Sequence, residues 1–177
     1  FSVDDIVVLF VARLVTEKRC DVYMDVMRRL LNSRGDVVKG LVVGEGAEME
    51  KLKTLPNTTT TGWLSGEDLS IAYAISDIFL FPSAVETFGN ATGEACASGL
   101  PVVVDNGCSA HLVTNDNGFT VKGSNVDEYY NRTLLLVDDV KLRTKFGING
   151  RKLVLEKFQQ SEVSEELCQL YAEESEI

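Results

Sequence analysis

Apolar residues in this chain fall into short solid runs, and the text between the runs carries apolar residues at helical spacing. Ile6–Ala12 (IVVLFVA) is the first run, as expected of a strand covered on both faces. Val22, Tyr23, Val26, Met27, Leu30 and Leu31 then mark one face of a helix, with Thr16 expected as its N-cap and Gly35 as its stop. Val38–Val43 predicts a second strand, ended by Gly44 and Gly46, and a short helix follows through Met49 and Leu52. Asn57–Thr61 is polar and β-branched, a weak third strand expected near an edge. Ser65 is expected to cap a helix carrying Leu69, Ile71, Ala72 and Ala74. Asp77 leads into the strand Ile78–Phe81, which Pro82 stops. Gly89 to Ser98 reads as a helix of small residues, which implies close packing or a close ligand. Val102–Val104, a short helix around Leu112 and the strand Phe119–Val121 come next. The last third, from about 138 to 177, is mostly helical after a face made of Val126, Tyr129, Tyr130, Leu134 and Val137. Gly147 and Gly150 are expected to weaken one of these helices, and Ser161 to open the final one through Val163, Leu167, Leu170 and Tyr171.

Strand-then-helix repetition predicts an α/β fold: a Rossmann-like parallel sheet with helices on both faces. The chain has 177 residues, 45% of them apolar, which suits one domain with a core of its own. It begins at Phe1 within continuous text and reads as a piece of a longer protein, with any targeting signal expected on the missing part. The longest apolar runs fall well short of the roughly 20 residues that span a bilayer. Lys and Arg total 17 against 27 Asp and Glu, a net charge of −10, which argues against a nucleic-acid partner and against attraction to anionic lipid by charge alone. Cys20, Cys96, Cys108 and Cys168 form no C-x-x-C pair, and there is one histidine, so a zinc site is not expected. Free thiols point to a reducing compartment, cytoplasmic or an organelle stroma.

Ligands of parallel sheets bind beyond the carboxyl ends of the strands. After the first strand come Arg13 and Lys18, two cations around a turn where an anion would bind; the alternative is solvated loop charges paired with Glu17 or Asp21. After the second lies Gly44-Glu45-Gly46, whose glycines let a backbone approach a ligand or merely make a tight turn. A dinucleotide fingerprint would need glycine at position 49, which is Met49, and no Walker A sequence occurs. After the third, Trp63 could stack on a base or a sugar, but a lone Trp is more often core, and core is the expectation. After the fourth, Glu86 sits in the loop before a helix start at Phe88-Gly89-Asn90, and Glu94 lies about one turn inside the helix. Free amides there, around Asn90 and Ala91, favour an anion, and an acid stands on either side. The plain alternative is a helix whose dipole is stabilised by N-terminal carboxylates.

These residues resemble a known family, the retaining glycosyltransferases of family 4. Glu86 and Glu94 match its E-x7-E signature, and Arg13-Leu14 with Glu17-Lys18 resembles its R-L-x-x-E-K motif. Gly44-x-Gly46, Gly62-Trp63-Leu64, Ser76-Asp77, Pro82-Ser83, Ala97-Ser98-Gly99-Leu100-Pro101 and Asn117-Gly118 fall in the family's order. The text around Glu86 looks most like GDP-mannose-dependent mannosyltransferases and sulfolipid synthases. Ala12 and Arg19 stand where the family carries glycine, Asn106-Gly107-Cys108-Ser109 where it carries a Gly-Gly pair, and His111 where it carries an acid.

The resemblance implies one half of a GT-B enzyme, the nucleotide-sugar-binding domain, with the N-terminal acceptor domain absent from this chain. It implies transfer of a hexose from a UDP- or GDP-sugar to an acceptor glycan or lipid, by a hexosyltransferase that is inactive without the missing half. Catalytic roles fall to Arg13 and Lys18 on the phosphates and Glu86 on the sugar. Glu94 would take the ribose, Leu64 the base and Gly44 the pocket wall, while Phe88, Gly89, Asn90 and Ala91 would add backbone contacts. The family's catalytic histidine lies in the missing half, so His111 is read as structural. No Asp-x-Asp occurs, which agrees with the metal-free, cofactor-free mechanism that the resemblance implies. The rival reading is a binding module that holds a nucleotide-sugar and does no chemistry.

Overall fold

The computed structural model describes residues 1–107 and 110–158. Its strands are β1 (Ile6–Val11), β2 (Val38–Val43), β3 (Thr58–Gly62), β4 (Ile78–Phe81), β5 (Val102–Asp105) and β6 (Gly118–Val121). Its helices are α1 (Cys20–Arg34), α2 (Met49–Leu52), α3 (Gly66–Ala74), α4 (Asn90–Ala97), α5 (Val126–Asp138) and α6 (Val140–Lys157). The strands form a six-stranded sheet in the order β3-β2-β1-β4-β5-β6, parallel throughout. Ile6 lies opposite Val38 and Val11 opposite Val43, while Val8 pairs with Ile78 on the other side of β1. The chain therefore reverses its direction across the sheet between β1 and β4, and a crevice opens above that point.

The solid apolar runs mark the central strands. Val8, Leu9, Phe10 and all of β4 and β5 are buried, because helices cover both faces. The polar β3 alternates between half-buried and exposed positions and is an edge strand, as its composition predicts. α1 packs with α5, and α4 packs with α6. Burying a Leu or Phe side chain contributes roughly 1.5–3 kcal/mol, so Phe10, Phe79 and Phe81, stacked and tilted on one another beneath the crevice, form a stiff floor for it.

Two local expectations are corrected. Thr16 does not cap α1; it opens a single 3-10 turn, Thr16–Lys18, and α1 begins after Arg19, whose φ of 51° breaks the helical path. Ser65 precedes α3 but its side chain makes no capping hydrogen bond. Gly147 and Gly150 lie inside α6, which runs unbroken from Val140 to Lys157. Both glycines are buried; a Cβ on Gly147 would run into the Gly99 carbonyl, so Gly147 lets α6 sit against the end of α4, while a Cβ on Gly150 would make ordinary contacts with Asn117 and Cys96. At Gly147 the cost in helix propensity is offset by this close contact. The final helix expected around Val163 to Tyr171 lies outside the described residues, as do Cys108 and Cys168. No helix among the described residues is long and apolar enough to cross a membrane.

Candidate functional site at the strand ends

Backbone pairing holds the loops after β1 and β2 together. Ala12 donates to the Val43 carbonyl at 3.1 Å and Leu14 to the Glu45 carbonyl at 2.7 Å. Gly44 has φ 132° and Gly46 φ 152°, and a Cβ on either would strike the carbonyls of Ala12 and Leu14 respectively. The glycine pair thus answers a demand from the neighbouring loop, and Gly44 lines the crevice as a consequence.

The loops after β1 and β4 are joined as well. Ala84 donates its N–H to the Glu17 carbonyl at 3.1 Å, and Lys18 donates to the Val85 carbonyl at 2.8 Å. The Lys18 ammonium forms an ion pair with Glu86, and the fully buried Ser83 donates its hydroxyl to the same Glu86 oxygen at 3.1 Å. Lys18 is therefore not a free loop charge, nor is it paired with Glu17 or Asp21. Arg13 is exposed, and no carboxylate among the described residues pairs with it.

Arg19 shows what the family's glycine does at its position. Its left-handed backbone is the conformation glycine adopts without cost. Here the guanidinium reaches across the strand ends to Asp105 at 2.7 Å, and Asp105 also accepts from the Gly107 N–H at 2.7 Å. The ion pair ties β1's loop to the end of β5.

Gly89, at φ 83°, turns the chain into α4. Asn90, Ala91 and Glu94 on the first turns of α4 face a cavity of about 340 Å³ that Arg13, Lys18, Gly44, Leu64 and Glu86 also line. A second cavity, about 410 Å³, shares Arg13, Lys18 and Glu86 and continues along Val15, Glu17 and Thr87. Phe88 and Gly89 line neither cavity. The Phe88 ring lies 5.2 Å from that of the exposed His111 and 5.6 Å from that of Phe158, at the outer side of the loop.

Sequence reasoning assigned neither Trp63, which lines the crevice, nor Tyr73, which stands behind it. Trp63, expected in the core, is 69% exposed and lines the first cavity, because β3 is an edge strand and the turn after it faces the crevice rather than the sheet. Tyr73 on α3 is buried and donates its hydroxyl to Glu94 at 2.9 Å. Burial, then the neighbouring Glu94 charge, raises the Tyr73 pKa, so the phenol stays a donor. Its position could be read only as an apolar-face residue, since the partner comes from another helix. Among the described residues, no group of His, Cys, Asp and Glu is arranged to hold a metal ion.

Chemically, the crevice offers one floor of apolar residues, two cations, a helix start at Asn90 and Ala91 and the two carboxylates Glu86 and Glu94. That combination suits a ligand with an aromatic or apolar end, an anionic middle and hydroxyl groups.

Residues 1–153 match the family model described as Glycosyl transferases group 1. Sulfoquinovosyl transferase SQD2 of Arabidopsis thaliana is 32% identical over 153 residues, covering 82% of this chain and 29% of that protein. A GDP-mannose-dependent alpha-mannosyltransferase of Mycolicibacterium smegmatis is 39% identical over 98 residues, 55% of this chain and 24% of that protein. Among solved structures, HepE of Anabaena in complex with UDP and glucose superposes with a TM-score of 0.81 at 21% identity, over 96% of this chain and 48% of that one. The chain spans less than half the length of each of these proteins.

Proposed function

The chain belongs to the group 1 glycosyl transferases, and from that premise we propose that it is the donor-binding half of a retaining GT-B enzyme that moves a hexose from a nucleoside-diphosphate sugar to an acceptor. The observation that carries the reading is the convergence of Arg13, Lys18, Glu86, Glu94 and the α4 start on one crevice at the strand-order reversal. In this reading residues 1–177 form one nucleotide-sugar-binding domain, the acceptor domain lies elsewhere in the full-length protein, and this chain alone turns nothing over. The donor is a UDP- or GDP-sugar and the acceptor a glycan or lipid. The location is cytoplasmic or stromal, supported by the free thiols of Cys20 and Cys96, with any membrane contact made by the acceptor domain.

The base lies between Leu64, Trp63 and Gly44, with Glu94 accepting from the ribose hydroxyls. The diphosphate rests on the N–H groups of Asn90 and Ala91, with Phe88 and Gly89 shaping the loop that presents them. Arg13 and Lys18 supply fixed positive charge where negative charge develops, Arg as a planar fork and Lys as a point charge. Glu86 accepts from hydroxyls of the hexose, near the boundary between the two cavities. Without ligand, Lys18 and Glu86 neutralise each other. A diphosphate draws the ammonium toward itself and releases the carboxylate for the sugar, so leaving group and hexose are engaged together. In the transfer the bond from the anomeric carbon to the phosphate oxygen breaks and a bond to the acceptor oxygen forms on the same face. The acceptor's proton passes to the departing diphosphate.

A thermal-shift panel of UDP-, GDP- and ADP-sugars on the full-length protein tests the reading. One nucleotide class should raise the melting temperature, and its donor should turn over; binding without turnover for any acceptor would favour the non-catalytic module instead. Because two cations and a helix start serve the leaving group, activity should persist in excess EDTA. Loss on chelation and recovery with magnesium or manganese would overturn that part.

A further inference from the structure

Glu94 is exposed and on a surface helix, so its carboxylate would be free to swing, yet one oxygen is held from behind. Tyr73 is buried, 3% exposed, with its ring tilted against Phe79 at 6.2 Å on the sheet. Its hydroxyl lies 2.9 Å from Glu94 Oε2 and 3.3 Å from the Ala91 carbonyl. A phenol carries one proton, and the charged, nearer oxygen takes it. The second Glu94 oxygen accepts from no other described side chain, and Glu94 is one of the residues that line the cavity.

We propose that Tyr73 is a positioning residue for the nucleotide: it fixes the rotamer of Glu94 so that the unengaged oxygen meets the ribose diol. The proposal rests on the donor-binding reading above and adds a residue outside the ligand's reach. A carboxylate that must be ordered on binding loses side-chain entropy then; one already clamped does not. The phenol has no second proton to donate to the ribose, because its one proton is committed to Glu94. Tyr73 further ties α3 to the start of α4, which carries the amides proposed for the diphosphate, so the clamp and the anion site move as one body.

The test is Tyr73→Phe in the full-length protein, titrated by calorimetry with UDP and GDP and with their 2′,3′-dideoxy counterparts. Phe keeps the ring on Phe79, and water can reach exposed Glu94, so the fold should survive. Expected is a loss of about three- to tenfold in affinity for the ribonucleotide that binds wild type, with no change for the dideoxy analogue. In a Glu94→Ala background the same substitution should have no further effect, a coupling that a merely structural tyrosine would not show. Equal loss for ribo- and dideoxynucleotide, or an undiminished effect without Glu94, would overturn the clamp. If wild type binds neither UDP nor GDP, the donor-binding reading itself fails, whatever Tyr73 does. Should Tyr73→Phe not fold, 3-fluorotyrosine at position 73, which keeps the ring and donates more strongly, decides: it must change affinity for the ribonucleotide and leave the dideoxy form unchanged, and an equal change for both would overturn the clamp.

Discussion

The two acids on either side of the α4 start are held in opposite ways. Glu86 sits in a loop, and its partners, Lys18 and Ser83, come from the strand ends around it. Glu94 sits on a helix, and its partner comes from a buried tyrosine on the next helix. One carboxylate is therefore paired with a cation, while the other is held by a neutral donor. The difference teaches that a repeated glutamate motif can be held in two different ways, one by an ion pair and one by a neutral hydrogen bond.

The largest expected effect removes the scaffold beneath both. Gly44→Ala places a methyl against the Ala12 carbonyl at a φ of 132°, and overpacking with backbone strain should destabilise the fold by about 3 kcal/mol or more. Chemical denaturation should show the loss, and both acids should lose function together. If stability is unchanged, the loops after β1 and β2 are not coupled as described. Next, Lys18→Ala should lower turnover of the full-length enzyme about a hundredfold, the scale of losing one group that stabilises developing charge. It should also weaken nucleoside diphosphate much more than nucleoside in calorimetry. Arg13→Ala should have the same signature with a smaller loss, since the side chain is exposed and unpaired among the described residues. Equal losses for nucleoside and diphosphate would remove both cations from the phosphate.

Much of this was legible in sequence because parallel sheets write themselves as solid apolar runs. β2 and β4 have the bounds that Val38–Val43 and Ile78–Phe81 predict, and the polarity of β3 announces its edge position. The charged residues that line the crevice could be found in sequence because they lie in or close behind the loops that follow strand ends. What escaped depends on contacts between distant segments. Thr16 has the chemistry of a cap, but the turn it opens serves the Glu17 contact with Ala84. Gly147 looks like a helix breaker until Gly99 is beside it. Trp63 has the composition of a core residue and the position of a rim residue, and only the sheet order decides between them. Tyr73 gives no signal at all, since hydrogen bonding between α3 and α4 has no periodicity.

The central claim is the division of labour between the acids, and substitutions that remove the charge while keeping the shape test it most directly. Glu86→Gln and Glu94→Gln, each in the full-length protein, are titrated with free nucleoside diphosphate and with the intact donor. Glu94→Gln should weaken both ligands about tenfold or more, since a hydrogen bond to a carboxylate contributes roughly 1.5–3 kcal/mol. Glu86→Gln should weaken the donor by a similar factor and leave nucleoside diphosphate undiminished, because it also frees Lys18 for the phosphates. If Glu86→Gln damages plain nucleoside diphosphate binding as badly as Glu94→Gln does, the sugar does not lie at Glu86 and the account is wrong.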